Sequence, residues 1–596
     1  MKKIFAAISF VLSLAIFLLT IAPDVYYTDS GELAAVASSL GIAHPTGYPL
    51  FTLIGHLWSN LLPWSAVFNL NLMAAVATAL SASFIFLASY ELVANIILKK
   101  KVGEFIQNFD QLLLSLFVSL GYSFALTTWK QATSVEVYSL QLVIISLYLY
   151  LIIKAYFTKE DSGRLLIAAG FTLGLGFANH LTSFMLIPAG LIVLFTKTSK
   201  QDRWKLFSFV VAVTLLGFLL YIYLPVRSSQ SPDFNWGAVH RSFDKFWYHV
   251  TGEQYQVWMF SDGNAWKENF KLFFSLIPAQ LTWIGVLFLV YGSYISFKQS
   301  RTLFYVLFST LLLCLFYSLN YSIHDIDSYF VTAYISMFLL MLIGAKYIVM
   351  KQKSLVYLFA FIPLFNLYTN YSDSDLSEDY SVSEFERIVT ESAEKDAIII
   401  SAQWDFWVSA RWYNDKIESE RTDITLIEKE LLRRTWYLGT MKQWHPEICS
   451  KCEPKMDLFS GQLEKFESDK AYDPRLIQSY FIDMLNCYID SNIDTRPVYV
   501  TFDILQSEPG VGKNYVKIPE GFLIRLSKQP EQMRFNYSNL DVSKLAKSAN
   551  SKDDELHNMT KNLALVNLKA ASNYAQYAND MKLKEIIDKK IKIFEQ

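Results

Sequence analysis

The feature that most constrains this chain is a series of apolar runs, each near the length of a bilayer crossing, crowded into its first ~370 residues. A helix needs about 20 apolar residues to cross the hydrocarbon layer. Runs that approach this length lie at 4–22, 66–98, 111–128, 136–157, 164–180, 184–197, 206–224, 271–297, 301–320, 329–349 and 354–370. They predict an α-helical polytopic membrane protein with about eleven transmembrane helices. The first run follows Lys2 and Lys3 and continues into Thr20-Ile21-Ala22-Pro23-Asp24, with no small-x-small cleavage site. It reads as a retained signal anchor.

The whole chain is 53% hydrophobic and only 18% charged, against about a quarter charged in a soluble protein. Its net charge of −2 gives no basis for a nucleic-acid surface. Lysine and arginine set the orientation. One set of alternate connections holds Lys2 and Lys3, then Lys99 to Lys101, then Lys154, Lys159 and Arg164, then Lys197, Lys200, Arg203 and Lys205. Lys298, Arg301, Lys346, Lys351 and Lys353 continue it, while the opposite short loops hold little beyond Lys130. The N-terminus is therefore expected in the cytoplasm and everything after 370 outside, in the periplasm if the membrane is a bacterial inner membrane.

The domain boundaries follow. Residues 1–370 form the membrane domain, with long outer loops at 23–65 and 225–270; 371–395 is an acidic linker; 396–540 is a soluble α/β domain; 541–596 is helical. Buried strands are expected at 396–401, 423–427 and 496–501, with a helix from Trp404 to Tyr413. No glycine-rich phosphate loop follows any strand. Cys314 sits in an apolar run, and Cys449 and Cys452 are expected to form a local disulfide, with Cys487 as the alternative partner.

Polar residues collect on the outer side. Asp29 and Glu32, at i and i+3, precede an amphipathic helix expected at the membrane interface, built on Leu33, Val36, Ala37 and Leu40 and stopped at Gly41. Two readings stand for the pair: a capping box, with Asp29 as N-cap and Glu32 reaching back, or a carboxylate that takes a proton from an acceptor hydroxyl. His44 lies in a rigid His-Pro-Thr-Gly-Tyr-Pro turn that includes Tyr48, and either bonds a nearby carbonyl or contacts a phosphate or sugar. Asn179 and His180 end one run; Arg227 follows Tyr223-Leu224-Pro225-Val226; Asp233, Asn235 and Trp236 come next. His324, Asp325 and Asp327 precede the tenth run, and Lys130 and Glu136 flank another outer loop. Asp-x-Asp is compatible with a divalent cation, but alternate side chains on an extended segment also align by chance, so no residue is assigned to a metal and the divalent cation stays an open alternative with no other cofactor implied.

These motifs, taken in order, resemble the transmembrane protein 260 family, also catalogued as domain of unknown function 2723. The resemblance rests on Asp29-Ser30-Gly31-Glu32-Leu33, His44 to Leu50, Asn69-Leu70-Asn71, Gly174-x-Gly176, Asn179-His180-Leu181-Thr182, Tyr223 to Arg227, Asn235-Trp236-Gly237, Asp325-x-Asp327-x-Tyr329 and Arg496 to Thr501. Thr46 departs from it, standing where a second proline is expected. The resemblance implies a GT-C-type glycosyltransferase that moves a sugar, mannose in the eukaryotic relative, from a polyprenyl-phosphate donor to a hydroxyl of an exported protein or glycolipid. It makes Asp29 the preferred base and Glu32 the alternative, with Arg227, His180 and His44 toward the donor phosphate. Tyr48, Asn179, His324, Asp325 and Asp327 complete the expected substrate-binding set. A transporter or lipid flippase is the competing class, since it also gathers polar groups in a membrane cavity. The expected partners are the lipid-linked donor, the acceptor and the bilayer.

Overall fold

Every apolar run becomes helix in the computed structural model, which describes all residues except 97–107, 159–160, 262, 324, 469 and 596. Lys99 to Lys101, Lys159 and His324 therefore lie outside the described residues. Among the described residues, seven helices are long and apolar enough to cross a membrane: Lys2–Thr20, Ala66–Asn95, Val137–Phe157, Arg203–Ser228, Ala265–Gln299, Arg301–Leu319 and Ile326–Lys351. The other expected spans, at Asn108–Ser123, Ser162–Asn179, Leu181–Lys197 and Lys353–Ala360 continued by Phe361–Ser374, are helical but fall short of that measure by length or hydropathy.

Contacts divide the chain into two compact units. The first comprises Met1–Ala22, Ala43–Gln230 and Val239–Ser377; the second comprises Pro23–Ile42, Ser231–Ala238 and Glu378–Gln596. Among its described residues the first unit has helices and no strand, and its helices approach closely where side chains vanish. A Cβ on Gly292 would lie 2.0 Å from the Leu340 carbonyl oxygen, and one on Gly344 2.2 Å from that of Phe288. Gly174 and Gly217 bring a second helix pair together in the same way. Small residues of this kind let helices pack where apolar burial alone does not distinguish a neighbour from lipid.

The helix Ala265–Gln299 contains Pro278 and breaks at Thr282 (φ 61°, ψ 160°). A break frees main-chain carbonyls that apolar surroundings cannot satisfy. Two asparagines one helical turn apart supply the missing donors. Asn370 Nδ2 donates to the Ala279 and Phe124 oxygens, both at 2.8 Å. Asn366 Nδ2 donates to Gln280 at 2.7 Å and Gly121 at 3.1 Å. Each therefore ties the broken helix to the end of the helix Asn108–Ser123. Ser9 with Ser119 (3.0 Å) and Ser13 with Ser123 (2.8 Å) fasten the first helix to the same element.

The second unit is built on a five-stranded mixed sheet: β1 (Ile398–Ser401), β2 (Thr425–Glu428), β3 (Val498–Val500), β4 (Val516–Glu520) and β5 (Leu523–Ser527), in the order β2-β1-β3-β5-β4. β1 runs parallel to β2 and β3, and β5 runs antiparallel to β3 and β4. β1 is buried along its whole length, as a strand flanked by parallel neighbours requires. The β4–β5 hairpin was not expected; it turns at Gly521, whose φ of +59° suits glycine, and Pro519 is tolerated because β4 is the sheet edge.

Four expectations are corrected here. The helix Ser30–Ser39 is not an amphipathic surface helix: Ser30 through Ala37 are all buried, and it packs on the helix Ser409–Lys416 so tightly that a Cβ on Gly31 would meet the Ser409 oxygen at 2.4 Å. Pro23–Ile42 accordingly belongs to the second unit rather than to a loop of the membrane domain. Leu40, not Gly41, takes the left-handed C-cap; Gly41 is small because Phe234 Cβ would lie 2.7 Å from its Cβ. Residues Ser381–Ser392, expected within a linker, form a helix that buries Val382, Phe385, Ile388 and Val389. The disulfide joins Cys452 to Cys487 (Cα–Cα 5.8 Å) and leaves Cys449 free and buried, because the helix Pro446–Glu467 turns Cys452 toward its neighbour Pro474–Asp490.

Two predictions follow from packing and charge. Gly344→Leu should destabilise the detergent-solubilised chain by about 1–3 kcal/mol, read as a lower Tm. Gly439→Ala, where a Cβ meets nothing within 4 Å, should raise Tm slightly. In the second unit, burial opposes a charge on His557, but hydrogen bonds to Asp379 and Asp554 push it up to about 9. A raised histidine stabilises fully below its unfolded value near 6.5 and loses that contribution as pH rises through about 9. The stability gap between wild type and His557→Gln, on the order of 2 kcal/mol at pH 6, should therefore close by pH 10 in thermal melts.

Candidate functional site

The acidic pair sits in the second unit. Asp29 occupies the N-cap position, and its carbonyl accepts from Leu33 N at 2.8 Å, yet its side chain does not cap the helix. Asp29 Oδ1 instead accepts from the indole Nε1 of Trp404 at 2.8 Å. Trp404 opens a π-helical turn, Trp404–Val408, a distortion that re-aims side chains and is frequent at functional sites. Glu32 is completely buried, and its amide donates to Ser409 Oγ at 2.8 Å. The capping-box reading thus gives way to main-chain capping, with the Asp29 carboxylate held by an indole.

Glu32 lines a small cavity with Trp236, Trp412, Trp436 and Trp444. Trp236 packs on Trp436 (5.0 Å between ring centres) and edge-on to Trp404 (5.7 Å). The Asn235-Trp236-Gly237 motif reaches this position by pairing with Ile42, which ends the segment that carries the Asp29-to-Leu33 motif: Ile42 N donates to the Phe234 oxygen at 2.7 Å, and Trp236 N to the Ile42 oxygen at 3.3 Å. Two motifs about 200 residues apart in sequence are thereby one structural element of this unit.

The first unit carries a second gathering, centred on His180. The backbone turns extended there (φ −157°), between the helix Ser162–Asn179 and the 3₁₀ turn Leu181–Leu186. Its Nδ1 is 2.8 Å from Thr182 Oγ1, which leaves Nε2 as the outward nitrogen. Tyr48 stacks on the ring (5.9 Å, interplanar angle 3°), and Tyr138 and Tyr329 flank it at 5.2 and 5.5 Å. The Tyr48 hydroxyl donates to the Pro45 oxygen and lies 3.1 Å from His44 Nε2. His44, Tyr48 and His180 are thus brought together, as a rigid aromatic wall with imidazole nitrogens.

The remaining expected residues divide. Asn179 directs its amide to the Val137 oxygen and to Gln141, both at 3.1 Å, and ties two helices. Arg227, half-buried, donates to Gln230 Oε1 at 2.8 Å. Asp325 is exposed and near Tyr138, Tyr321 and Tyr329, whereas Asp327 is near Lys130 and accepts from its own neighbour Ser328 N. Ile326–Phe330 is a helical turn, not the extended segment on which alternate carboxylates align.

Several residues went unread in the sequence. Tyr138 flanks His180 and Trp404 holds Asp29, with the 16% aromatic content the only signal for these roles; Tyr329, also beside His180, was read only as the end of the Asp325-x-Asp327-x-Tyr329 motif. His249 is buried against the turn at Gly47, where a Cβ would lie 3.1 Å from its Nε2. Burial, with His44 nearby, pushes it down to about 3, so the ring is neutral at physiological pH.

The family model described as the N-terminal domain of protein O-mannosyl-transferase TMEM260 matches residues 29–203. A protein O-mannosyl-transferase tmem260 of Dictyostelium discoideum is 23% identical over 587 residues, covering 87% of this chain and 66% of the relative. The protein O-mannosyl-transferase TMEM260 of Mus musculus is 26% identical over 475 residues, covering 73% of this chain and 64% of the relative. The chain spans a little under two thirds of the length of these relatives. Among solved structures, ArnT from Cupriavidus metallidurans bound to undecaprenyl phosphate is similar over 89% of this chain and 99% of that chain, with a TM-score of 0.51 and 10% identity. Its apo state gives 0.50 at 9% identity. This chain is an integral, multi-pass membrane protein with the GT-C fold, similar over residues 29–203 to the N-terminal domain of the transmembrane protein 260 family.

Proposed function

We propose that this chain is a membrane glycosyltransferase that moves a sugar, mannose by its resemblance to the O-mannosyl-transferases, from a polyprenyl-phosphate donor to a hydroxyl of an exported protein or glycolipid. The observation that carries the reading is the Asp29 carboxylate, turned away from its own helix and held by the Trp404 indole. A carboxylate fixed in this way is oriented to accept a proton without reorganising.

In the proposed reaction Asp29 takes the proton of the acceptor hydroxyl, whose oxygen attacks the anomeric carbon. The bond from that carbon to the phosphate oxygen breaks, and the lipid phosphate leaves with the electron pair. One displacement without a covalent enzyme intermediate inverts the anomeric centre. Glu32, buried among indoles, is the alternative base. On the first unit His44, Tyr48, His180 and Arg227 are the proposed contacts for the departing phosphate, whose growing negative charge donors stabilise. An apolar groove lined by Ile152, Leu166, Leu173, Phe177, Leu194 and Val210 is suited to a prenyl chain. The N-terminus is proposed to be cytoplasmic and the tail outside, periplasmic in a bacterial inner membrane.

The direct test supplies the purified chain with tritiated mannose on undecaprenyl phosphate and, as acceptor, the exported fraction of cells that lack the chain. Label should pass to a protein or glycolipid, which mass spectrometry then identifies. Sugar that accumulates in sealed vesicles without a covalent product would instead indicate transport. Asp29→Asn should lower transfer by about 10²–10⁴-fold with insertion and Tm unchanged; full activity would remove Asp29 from the chemistry. Trp404→Phe, which removes the indole donor to Asp29 along with part of the ring packed on Trp236, should lower kcat about tenfold.

A further inference from the structure

The segment that delivers Asp29 is held in an unfavourable conformation. Thr28 has φ +62°, in the left-handed region where a β-branched residue is an outlier that persists only when its surroundings over-determine it. The residues around it are fixed one by one on the π-helical turn. Asp29 meets Trp404 (2.8 Å), the Thr28 amide donates to the Asp405 oxygen (3.1 Å), and Tyr27 packs edge-on to Phe406 (6.1 Å). Further on, the Glu32 amide is held by Ser409.

Tyr27 is also held by the helix Glu555–Tyr577. The His557 ring lies 5.2 Å from the Tyr27 ring in edge geometry, and the Tyr27 hydroxyl is 2.8 Å from Thr560 Oγ1. His557 is itself immobilised at both nitrogens: Nε2 is 2.7 Å from Asp379 Oδ2, and Nδ1 is 2.8 Å from Asp554 Oδ1. Asp379 is in turn held by the Ser381 amide and hydroxyl at 3.0 and 2.7 Å. His557 and Asp379 are both fully buried, so the arrangement is stiff rather than a surface ion pair.

We infer that His557 is a positioning residue for the reaction: clamped between Asp379 and Asp554, it backs Tyr27 against Phe406 and thereby holds Thr28 left-handed and the Asp29 carboxylate at Trp404. The inference rests on the reading of Asp29 as base. It gives the helix Glu555–Tyr577 a part in the chemistry without contact to substrate. Misplacing a catalytic group by about 1 Å costs up to a hundredfold in rate while leaving substrate contacts intact.

The experiment uses the full-length chain and two readouts. In His557→Gln, hydrogen exchange of the amides in residues 26–33 should quicken about tenfold more than the loss of overall stability makes it quicken in β1 and β3. With tritiated undecaprenyl-phosphate mannose as donor, kcat should fall about tenfold and KM for the donor should stay within about twofold. Thr560→Val, which removes the hydroxyl that meets Tyr27 together with its bond to the Leu556 oxygen, should move both readouts in the same direction by less; it serves if His557→Gln does not fold. Asp29→Asn should abolish transfer and leave exchange as in wild type. Unchanged exchange across 26–33 in both variants overturns the inference, as does a loss of protection spread evenly over the whole unit. Faster exchange confined to 26–33 with undiminished transfer likewise overturns the inference, whereas full transfer by Asp29→Asn would instead sink Asp29 as the base.

Discussion

Hydrogen bonding of the main chain where water is scarce is the constraint on which this structure depends. A helix meets it automatically until it breaks, and the helix Ala265–Gln299 breaks at Thr282, a few residues after Pro278. Asn366 and Asn370 answer with side-chain amides, each bridging a freed carbonyl and the end of a second helix. Their value lies as much in the alternative as in the bond, because a buried carbonyl left unpaired costs roughly 1–3 kcal/mol. The same logic explains the paired serines between the first helix and Asn108–Ser123.

The acid-bearing segment solves a different problem. A carboxylate at a helix N-cap is ordinarily drawn to the free amides of the first turn. Here Asp29 is drawn instead to an indole, because Thr28 is left-handed and the π-helical turn presents Trp404, Asp405 and Phe406 in register with Asp29, Thr28 and Tyr27. The strain at Thr28 is stored against a buried ion pair. Such pairs add little net stability but lose much when one partner goes, which makes them better at fixing geometry than at strengthening a fold.

Much of the fold was legible in the residues. The long apolar runs named the helices because bilayer thickness and backbone satisfaction leave few alternatives. Ile398 to Ile400 announced a buried strand, and the helical spacing after 540 announced the closing helices. The candidate site was legible only in part. Asp29, His44 and His180 were visible as polar residues in otherwise apolar surroundings, whereas Trp404 and Tyr138 looked like any other aromatic and Tyr329 stood out only as the end of the Asp325-x-Asp327-x-Tyr329 motif. A hairpin with a proline in one strand escaped because local propensity argued against it until β4 was known to be the edge.

The amino-acid order by itself determined that this chain is helical and membrane-embedded over most of its first 370 residues, since apolar length and lysine placement are local properties. Tertiary structure alone decided that Pro23–Ile42 joins the sheet-bearing unit, that Cys452 pairs with Cys487, and that the Asp29 carboxylate faces Trp404. Those outcomes depend on which distant surface fills the space beside a residue, and no period or spacing in the chain encodes that.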